Sequence, residues 1–528
     1  MTEVVMRQTP PILHGPSEKE RKYDRQLRLW AASGQAALES ANILLVNSGA
    51  GTVGIETLKN LVLPGIGRFA IYDEAVVEEA DLGVNFFIDE SGLGKPRSQC
   101  VTELILELNP EGESTLEALL ATSPIFTIIV FTYPARAEHT SLLQEYSKQH
   151  KTPLVAIHSA GFYSYFQIQL PGAFPIVDTH PEETATTDIR LLTPWPELSE
   201  FAKELTKDID NLDNHEHGHL PFVAILLHYL EQWRETHSGS NPSTYKEKIE
   251  FRRLVQGATR TNNPEGGEEN FEEAVAAVLK TVTAPSLPSG LREVFEYKHS
   301  DPNEQMSGFW IIADAVKTFY AKHKCLPLPG SVPDMKAQSK VYIQLQNIYK
   351  KKARQDAAEV LKTAQEIAPD RDIDAAEVEL FCKNAAFVKL INATGGTGDR
   401  DTSNTDRLKT VIAQELENDE NAEVTMTPLS LLPIYLALQA TGRVASASAD
   451  EILAEVAKTV PEASQNERIR NAAQEVARAE GGELHNISAL TGGMVAQEMI
   501  KIITKQYIPI DNTCIFDGIS SRCQVVRL

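Results

Sequence analysis

The chain has 528 residues and a formal net charge of −23 at pH 7. Such an acidic surface repels phosphates, so it argues against nucleic acid or an anionic membrane as a partner and favours another protein. At roughly 150 residues per folding unit, the length predicts about three units.

The cysteines are scattered and never occur in C-x-x-C spacing: Cys100, Cys325, Cys382, Cys514 and Cys523. This pattern encodes neither a disulfide framework nor a zinc site, so we expect no metal bound by this chain. No secretion signal is recognisable, and no segment approaches about 18 consecutive apolar residues. We therefore expect a soluble protein of the cytoplasm, the nucleus or both.

The N-terminal region is predicted to be a flexible arm followed by a helix. Residues 1–16 contain three prolines and little pattern. Ser17–Glu20 has the form of a capping box, and the helix that it opens places Tyr23, Leu27 and Trp30 on one apolar face. Three arginines lie on another face: Arg21, Arg25 and Arg28. From spacing alone, they are typical of the solvated face of a surface helix.

Residues 41–73 carry the pattern that predicts the fold. An aliphatic run, Ile43–Val46, leads into a G-x-G-x-x-G turn and then a helical pattern. The turn contains Gly49, Gly51 and Gly54. A second strand, Arg68–Tyr72, ends at Asp73. Glycines let a phosphate approach the helix N-terminus, and an acidic residue at this point holds a ribose, so the pattern indicates a nucleotide-binding type of fold.

Helices and strands continue to alternate beyond this turn. The predicted elements are a helix at Ser98–Leu108, a strand at Ile125–Phe131, a helix at Ala135–His150 and a strand at Leu154–His158. The alternation predicts a Rossmann-like, doubly wound parallel sheet, to which Tyr163–Leu170 adds an antiparallel strand.

The chain beyond residue 170 is predicted to be mostly helical. The predicted helices are Leu220–Trp233, Lys246–Leu254, Phe271–Lys280, Gly308–Lys324 and Lys336–Ala368. The histidine-containing run Lys207–His219 has no repeated ligand spacing, which favours an exposed loop over a metal site. The polar composition of Gly395–Ala422 predicts a mobile surface loop.

The C-terminal residues return to an α/β pattern. A helix at His485–Thr504 precedes two predicted strands, Gln506–Ile510 and Thr513–Phe516. We therefore predict an arm at residues 1–16, an α/β domain at 17–170 and 481–528, and a large helical insertion at 171–480.

Several segments resemble the activating enzymes of ubiquitin-like modifiers, relatives of the bacterial sulfur-carrier adenylyltransferases with a ThiF/MoeB-like fold. They include KYDRQLRLW at 22–30, LKNLVLPGIG at 58–67, FFIDESGLGKPRSQC at 86–100 and GSVPDM at 330–335. The resemblance extends from residue 22 to residue 514 and is closest to the regulatory subunits of neddylation-activating enzymes. The insertion then corresponds to a catalytic-cysteine-type domain.

The resemblance implies four requirements for ATP chemistry, of which this chain meets two. The glycine turn and the ribose ligand Asp73 are present. However, Val84 and Asn85 occupy the positions of an expected arginine and glutamine, and residues 132–134 contain no magnesium-binding aspartate. Lys95 remains, but one lysine cannot replace both the arginine and the magnesium ion that the aspartate would bind. We therefore expect Gly49, Gly51, Gly54, Asp73 and Lys95 to be a degenerate remnant that binds no nucleotide.

The resemblance also implies a thioester cysteine at the start of the insertion, and this chain lacks it. Residues 176–187 contain no cysteine, and the next cysteine is Cys325. We expect Cys325 and Cys382 to be structural, buried residues rather than nucleophiles.

Arg25 gains a role through the resemblance. In this family, an arginine of the corresponding helix reaches across a pseudo-twofold dimer into the ATP site of the partner. Arg25 is thus expected to act in trans on phosphates, with Arg28 as a second candidate. A guanidinium suits this role because it is always charged and binds phosphate oxygens bidentately.

The resemblance implies a non-catalytic regulatory subunit in a heterodimer. The catalytic subunit would bind ATP, magnesium and zinc, and the two would adenylate a Nedd-type (Rub) modifier, form its thioester and support cullin modification. The alternatives are an autonomous adenylyltransferase, a nicotinamide-dependent dehydrogenase and the small subunit of the sumoylation-activating enzyme. The long insertion argues against the last two.

Overall fold

A computed structural model gives the fold of the chain. It describes residues 17–105, 116–182, 187–261, 267–299, 305–391, 400–420, 422, 426–442 and 447–528. The predicted arm at 1–16 and parts of two other predictions, residues 106–108 and 395–399, lie outside these ranges.

The chain forms two compact units. The first combines residues 1–174 with 392–528, and the second spans 175–391. The predicted insertion at 171–480 therefore extends beyond the second unit, because residues 392–480 belong to the first.

The first unit begins with alternating helices and strands. They are α1 Glu18–Lys22, α2 Asp24–Ser40, β1 Asn42–Val46, α3 Thr52–Val62, β2 Arg68–Tyr72, α4 Glu79–Leu82, α5 Arg97–Ile105, α6 Leu116–Thr122, β3 Ile128–Thr132, α7 Ala137–His150, β4 Leu154–Ala160 and β5 Tyr163–Gln169. The strand-turn-helix-strand pattern read from residues 41–73 is confirmed.

One sheet organises the first unit. Its order is β2-β1-β3-β4-β5-β8-β9, where the last two strands are Thr513–Asp517 and Arg522–Val526. The first four strands are parallel, and the last three are antiparallel additions. The predicted Rossmann-like sheet is confirmed, and so is its antiparallel extension by β5. The edge strand β9 was not predicted.

The second unit is mostly helical. It contains α8 Pro196–Leu205, α9 Asn214–His217, α10 Phe222–Thr236, α11 Tyr245–Gly257, α12 Glu269–Thr281, α13 Ser289–Glu296, α14 Gly308–His323, α15 Ser339–Ile367 and α16 Ala375–Lys383. Two short strands, β6 Phe174–Val177 and β7 Val388–Ile391, pair with each other. A continuous apolar core extends from Ile189 to Tyr349, and the predicted helices of this region are confirmed.

The histidine-containing run at 207–219 is largely exposed, as expected, except at Ile209 and His217. His217 is buried, and its Nδ1 lies 2.7 Å from Oε1 of Glu268. Asn270 donates to the carbonyl of His217 at 2.8 Å. Long-range partners that spacing cannot reveal therefore hold the run in place.

The C-terminal part of the first unit contains more helix than its composition suggests. The helices are α17 Arg400–Glu420, α18 Leu432–Ala440, α19 Ala449–Ala457, α20 Glu467–Ala479 and α21 His485–Thr504. The prediction of a mobile loop at 395–422 is wrong across α17. Ile412 is buried there, Leu416 packs against the same core, and Asp419 accepts hydrogen bonds from Ser430 and Arg468.

The predicted strand at Gln506–Ile510 is also wrong. Lys505 ends α21 with a positive φ of 54°, and the segment that follows is irregular. Its polar groups bond to helices instead of a strand: the hydroxyl of Tyr507 donates to the carbonyl of Leu29, and the amide of Ile510 donates to Glu498.

Candidate functional site

The glycine turn joins β1 to α3 at the carboxyl edge of the parallel strands. Gly49 and Gly51 have φ values of 61° and 68°, which a residue with a side chain rarely adopts. A Cβ on Gly51 would lie 2.3 Å from Nδ2 of Asn47. The turn has the shape that a nucleotide-binding fold requires, but the groups around it differ from those of an open site.

Asp73, the predicted ribose ligand, is bound to the chain's own Arg97. The guanidinium of Arg97 donates from Nε to Oδ2 at 2.7 Å and from Nη2 to Oδ1 at 3.1 Å. Asn47 donates to the same Oδ2 at 2.8 Å. The side chains of Arg97 and Asp73 are 3% and 2% exposed. Both oxygens of the carboxylate are thus occupied inside the protein.

Arg97 also binds the glycine turn itself. Its Nη1 donates to the carbonyl of Ala50 at 3.0 Å and to Oδ1 of Asp81 at 3.3 Å. Burial acts to lower the pKa of Arg97, but the carboxylates of Asp73 and Asp81 outweigh it, so the pKa is raised and the guanidinium stays charged.

A carboxylate occupies the N-terminus of α3, where a phosphate would bind in a nucleotide site. Oε2 of Glu483 accepts a hydrogen bond from the amide of Val53 at 2.7 Å and one from the hydroxyl of Ser488 at 2.6 Å. Glu483 is 6% exposed. Burial raises its pKa to about 7, and the hydrogen bonds and the charge of Arg97 offset only part of that effect.

The loop after β3 lies against the glycine turn. Oγ of Ser48 donates to the carbonyls of Thr132 at 2.7 Å and Pro134 at 2.6 Å. A Cβ on Gly49 would lie 2.7 Å from Cδ of Pro134. Residues 132–134 therefore brace the turn. Within the described ranges, no group of three or more His, Cys, Asp or Glu residues could hold a metal ion.

The two positions at which the resemblance implies an arginine and a glutamine lie just beyond α4. Val84 is half-buried, and Asn85 is buried with its Oδ1 accepting from the amide of Phe87 at 3.0 Å. Lys95 is exposed, and its carbonyl accepts from the amide of Val77 at 2.9 Å. The cationic side chain beside the glycine turn is that of Arg97, and it binds the carboxylates of Asp73 and Asp81.

The helix α2 presents its arginines to solvent. Trp30 is buried, Tyr23 and Leu27 are half-buried, and Arg25 and Arg28 are exposed. Arg28 pairs with Asp24 at 3.0 Å, whereas Arg25 has no hydrogen bond or ion pair with any residue that the structure describes. The guanidinium of Arg25 is thus available to an external anion.

The two candidate cysteines of the second unit lie in protected positions. Cys382 is buried, and burial raises the pKa of its thiol to about 12. Cys325 is half-buried, its pKa is also raised by burial, and its sulfur accepts from Nη1 of Arg190 at 3.2 Å. Neither thiol is exposed and acidic, as a nucleophile would be.

Sequence reasoning missed Arg97 and Glu483. Arg97 stands two positions after Lys95, yet nothing in the sequence indicates which carboxylate it binds. Glu483 lies 430 residues beyond its partner Val53, so no local pattern could reveal this contact.

Comparisons with known proteins place the chain in a family. Residues 23–528 match the model of the ThiF family. The NEDD8-activating enzyme E1 regulatory subunit of Xenopus laevis is 36% identical over 95% of this chain and 97% of its own length. Proteins with the same description from Gallus gallus and Drosophila melanogaster are 35% and 34% identical, each over 97% of this chain and 99% and 98% of their own lengths. Among the described helices, none is both long and apolar enough to cross a membrane.

Proposed function

The chain belongs to the ThiF family and, within it, to the NEDD8-activating enzyme E1 regulatory subunits, and from this premise we propose that it supports catalysis in a partner without binding ATP itself. The partner is a catalytic subunit that carries the ATP site, the thioester cysteine and the zinc. The two subunits together adenylate the C-terminus of a Nedd-type modifier and pass it to the cysteine.

The observation that carries the proposal is the internal occupation of the nucleotide pocket. Glu483 takes the helix N-terminus that would receive a phosphate, and Arg97 takes both oxygens of Asp73. A phosphate placed beside the carboxylate of Glu483 would be repelled once that group ionises, and no magnesium ligand stands at 132–134 to compensate. The glycine turn is therefore a structural remnant.

Arg25 is the residue that we propose to act on the partner's ATP. Its exposure and its lack of a hydrogen-bond or ion-pair partner among the described residues support this role, because a trans-acting arginine has to reach beyond its own subunit. Arg28 is a weaker candidate, since Asp24 already binds it. The apolar side of the same helix holds it on the first unit, so the guanidinium is presented from a fixed element.

The second unit would contribute a helical wall to the modifier site rather than a nucleophile. Cys325 and Cys382 support this view because both are shielded and their pKa values are raised. The thioester cysteine would then belong to the partner, together with the zinc.

Autonomous adenylation is the alternative that shares the fold. The retained glycine turn favours it, and it predicts nucleotide binding by the isolated chain. A dehydrogenase would instead bind a dinucleotide, and thermal shift with nicotinamide dinucleotides tests for that. A sumoylation-type subunit would support exchange with a SUMO-type modifier rather than a Nedd-type one.

The decisive experiment is modifier-dependent ATP–pyrophosphate exchange. The chain alone should show no exchange, and exchange should appear when a catalytic subunit of the NEDD8-activating type is added. Arg25→Ala should abolish most of it, whereas Arg253→Ala, at an exposed position in the second unit, should not. Exchange by the chain alone would overturn the proposal.

A further inference from the structure

Three sulfur-bearing side chains converge in the first unit from three separate elements. Cys514 lies on β8, Cys523 on β9 and Met494 on α21. Cys514 pairs with Val525 and Cys523 pairs with Phe516 across the antiparallel ladder, so the two cysteines are diagonal neighbours on one face of the sheet. The helix α21 brings the methionine to that same face.

The sulfur atoms are close to one another. The thiol of Cys523 donates to Sδ of Met494 at 3.8 Å, and Cys514 is the diagonal neighbour of Cys523 across the ladder. All three residues line one cavity of about 460 Å³, whose other walls include Phe166, Leu490 and Ile510. The sulfurs thus share a largely apolar environment.

We propose that Cys514, Cys523 and Met494 form a binding site for a soft monovalent cation, copper(I). Thiolate and thioether sulfur are soft ligands, which copper(I) prefers. With metal–sulfur bonds of about 2.3 Å, a three-coordinate ion separates its sulfurs by about 4 Å, close to the 3.8 Å between the sulfurs of Cys523 and Met494. This inference is independent of the proposed function and differs from the expectation of no metal that cysteine spacing gave.

The donor set disfavours zinc. Zinc prefers four ligands drawn from cysteine, histidine and carboxylate, and only two such ligands are free here. Glu498 also lines the cavity, but one oxygen accepts from Nζ of Lys501 at 2.6 Å and the other from the amide of Ile510 at 2.8 Å. The site is therefore an all-sulfur one.

Binding is a displacement of protons without a change of oxidation state. One copper(I) ion forms bonds to two thiolates and one thioether, and two protons pass to solvent. The two thiolates and the ion together carry a charge of −1. The ion can reach the site from solvent through Cys523, which is exposed, whereas Cys514 is buried.

The test uses the reduced full-length chain without oxygen and copper(I) delivered from a competing chromogenic chelator. We expect one ion per chain, with the ultraviolet absorption of copper–thiolate bonds. Cys523→Ser should lower affinity more than about 100-fold, since even indirect partners of a metal site cost 10–100-fold. Met494→Leu, which conserves volume and leaves the fold intact, should weaken binding by roughly 10-fold. Cys325→Ser, at a half-buried thiol in the second unit, should have no effect.

Two results would overturn the proposal. One is equal copper binding by the wild type, Cys523→Ser and Cys325→Ser, which would mean adventitious binding to any thiol. The other is a full ion bound by Met494→Leu with unchanged affinity and absorption, which would remove the thioether and with it the three-sulfur geometry.

Discussion

Replacing Glu483 with glutamine isolates the ionisation of the carboxylate at the N-terminus of α3. Glutamine keeps an oxygen that can accept from the amide of Val53 and the hydroxyl of Ser488, and it cannot ionise. Any pH-dependent difference in stability between the two proteins therefore reports on this one proton.

The magnitude follows from the pKa. Burial raises the pKa of Glu483 from 4.5 to about 7, so the folded state holds a proton that the unfolded chain releases. The stabilisation is complete below the unfolded pKa and is lost as pH rises through the folded one. The pKa rises by about 2.5, and at about 1.4 kcal/mol per pKa unit the full effect is roughly 3–4 kcal/mol. When the pH is raised from 4.5 to 8, the free energy of unfolding of Glu483→Gln should therefore rise by about that much relative to the wild type.

The assay is urea unfolding followed by circular dichroism at both pH values. Glu480→Gln serves as the control because Glu480 is an exposed carboxylate three residues away, and its difference from the wild type should not change with pH. The reasoning would be refuted if Glu483→Gln instead became less stable relative to the wild type as the pH is raised to 8. It would mean that the carboxylate is ionised and stabilised by the helix N-terminus and Arg97.

Three further predictions concern the partner and the packing. Arg25→Ala should leave assembly with the catalytic subunit intact by size-exclusion chromatography and reduce pyrophosphate exchange on the order of 1,000-fold; loss of assembly or unchanged exchange would remove the trans role. Asp73→Asn should destabilise the first unit by about 3–5 kcal/mol in urea, because Arg97 loses its closest buried counter-charge; a change below about 1 kcal/mol would show that the pair is not desolvated. Gly492→Ala should cost about 1–3 kcal/mol, since its Cβ would lie 2.8 Å from a backbone nitrogen of α3, whereas Gly493→Ala has room and should be neutral or slightly stabilising; equal effects would contradict the close helix contact.

Local patterns predicted the strand-turn-helix around Gly49 and the parallel sheet because each depends on neighbours in sequence. The length of hydrophobic runs and the turn glycines specify these elements almost alone. The same reasoning failed at α17, where composition suggested a loop and long-range packing of Ile412 made a helix. It also failed at residues 506–510, whose hydrogen-bond partners lie on distant helices.

The sequence indicated which groups the pocket lacks, but not which side chains occupy it. Val84 and residues 132–134 indicated missing cationic groups, which a single sequence can reveal once a resemblance supplies the expected residues. The pairs formed by Arg97 with Asp73 and by Glu483 with Val53 could not be read, because they join residues 24 and 430 positions apart. A carboxylate and an arginine have many alternative partners in an acidic chain of this length.

The retained glycine turn is explained by packing around these internal charges. A Cβ on Gly51 would collide with Asn47, and one on Gly54 would lie 2.9 Å from Leu45. A nucleotide entering here would have to separate Arg97 from Asp73, and breaking such a buried pair costs about 3–5 kcal/mol. Because each 1.4 kcal/mol is a factor of ten, a site of roughly micromolar affinity would weaken to about millimolar. Packing therefore requires the glycine turn whether or not a nucleotide binds, so a glycine motif indicates function only when the groups that occupy its helix N-terminus are known.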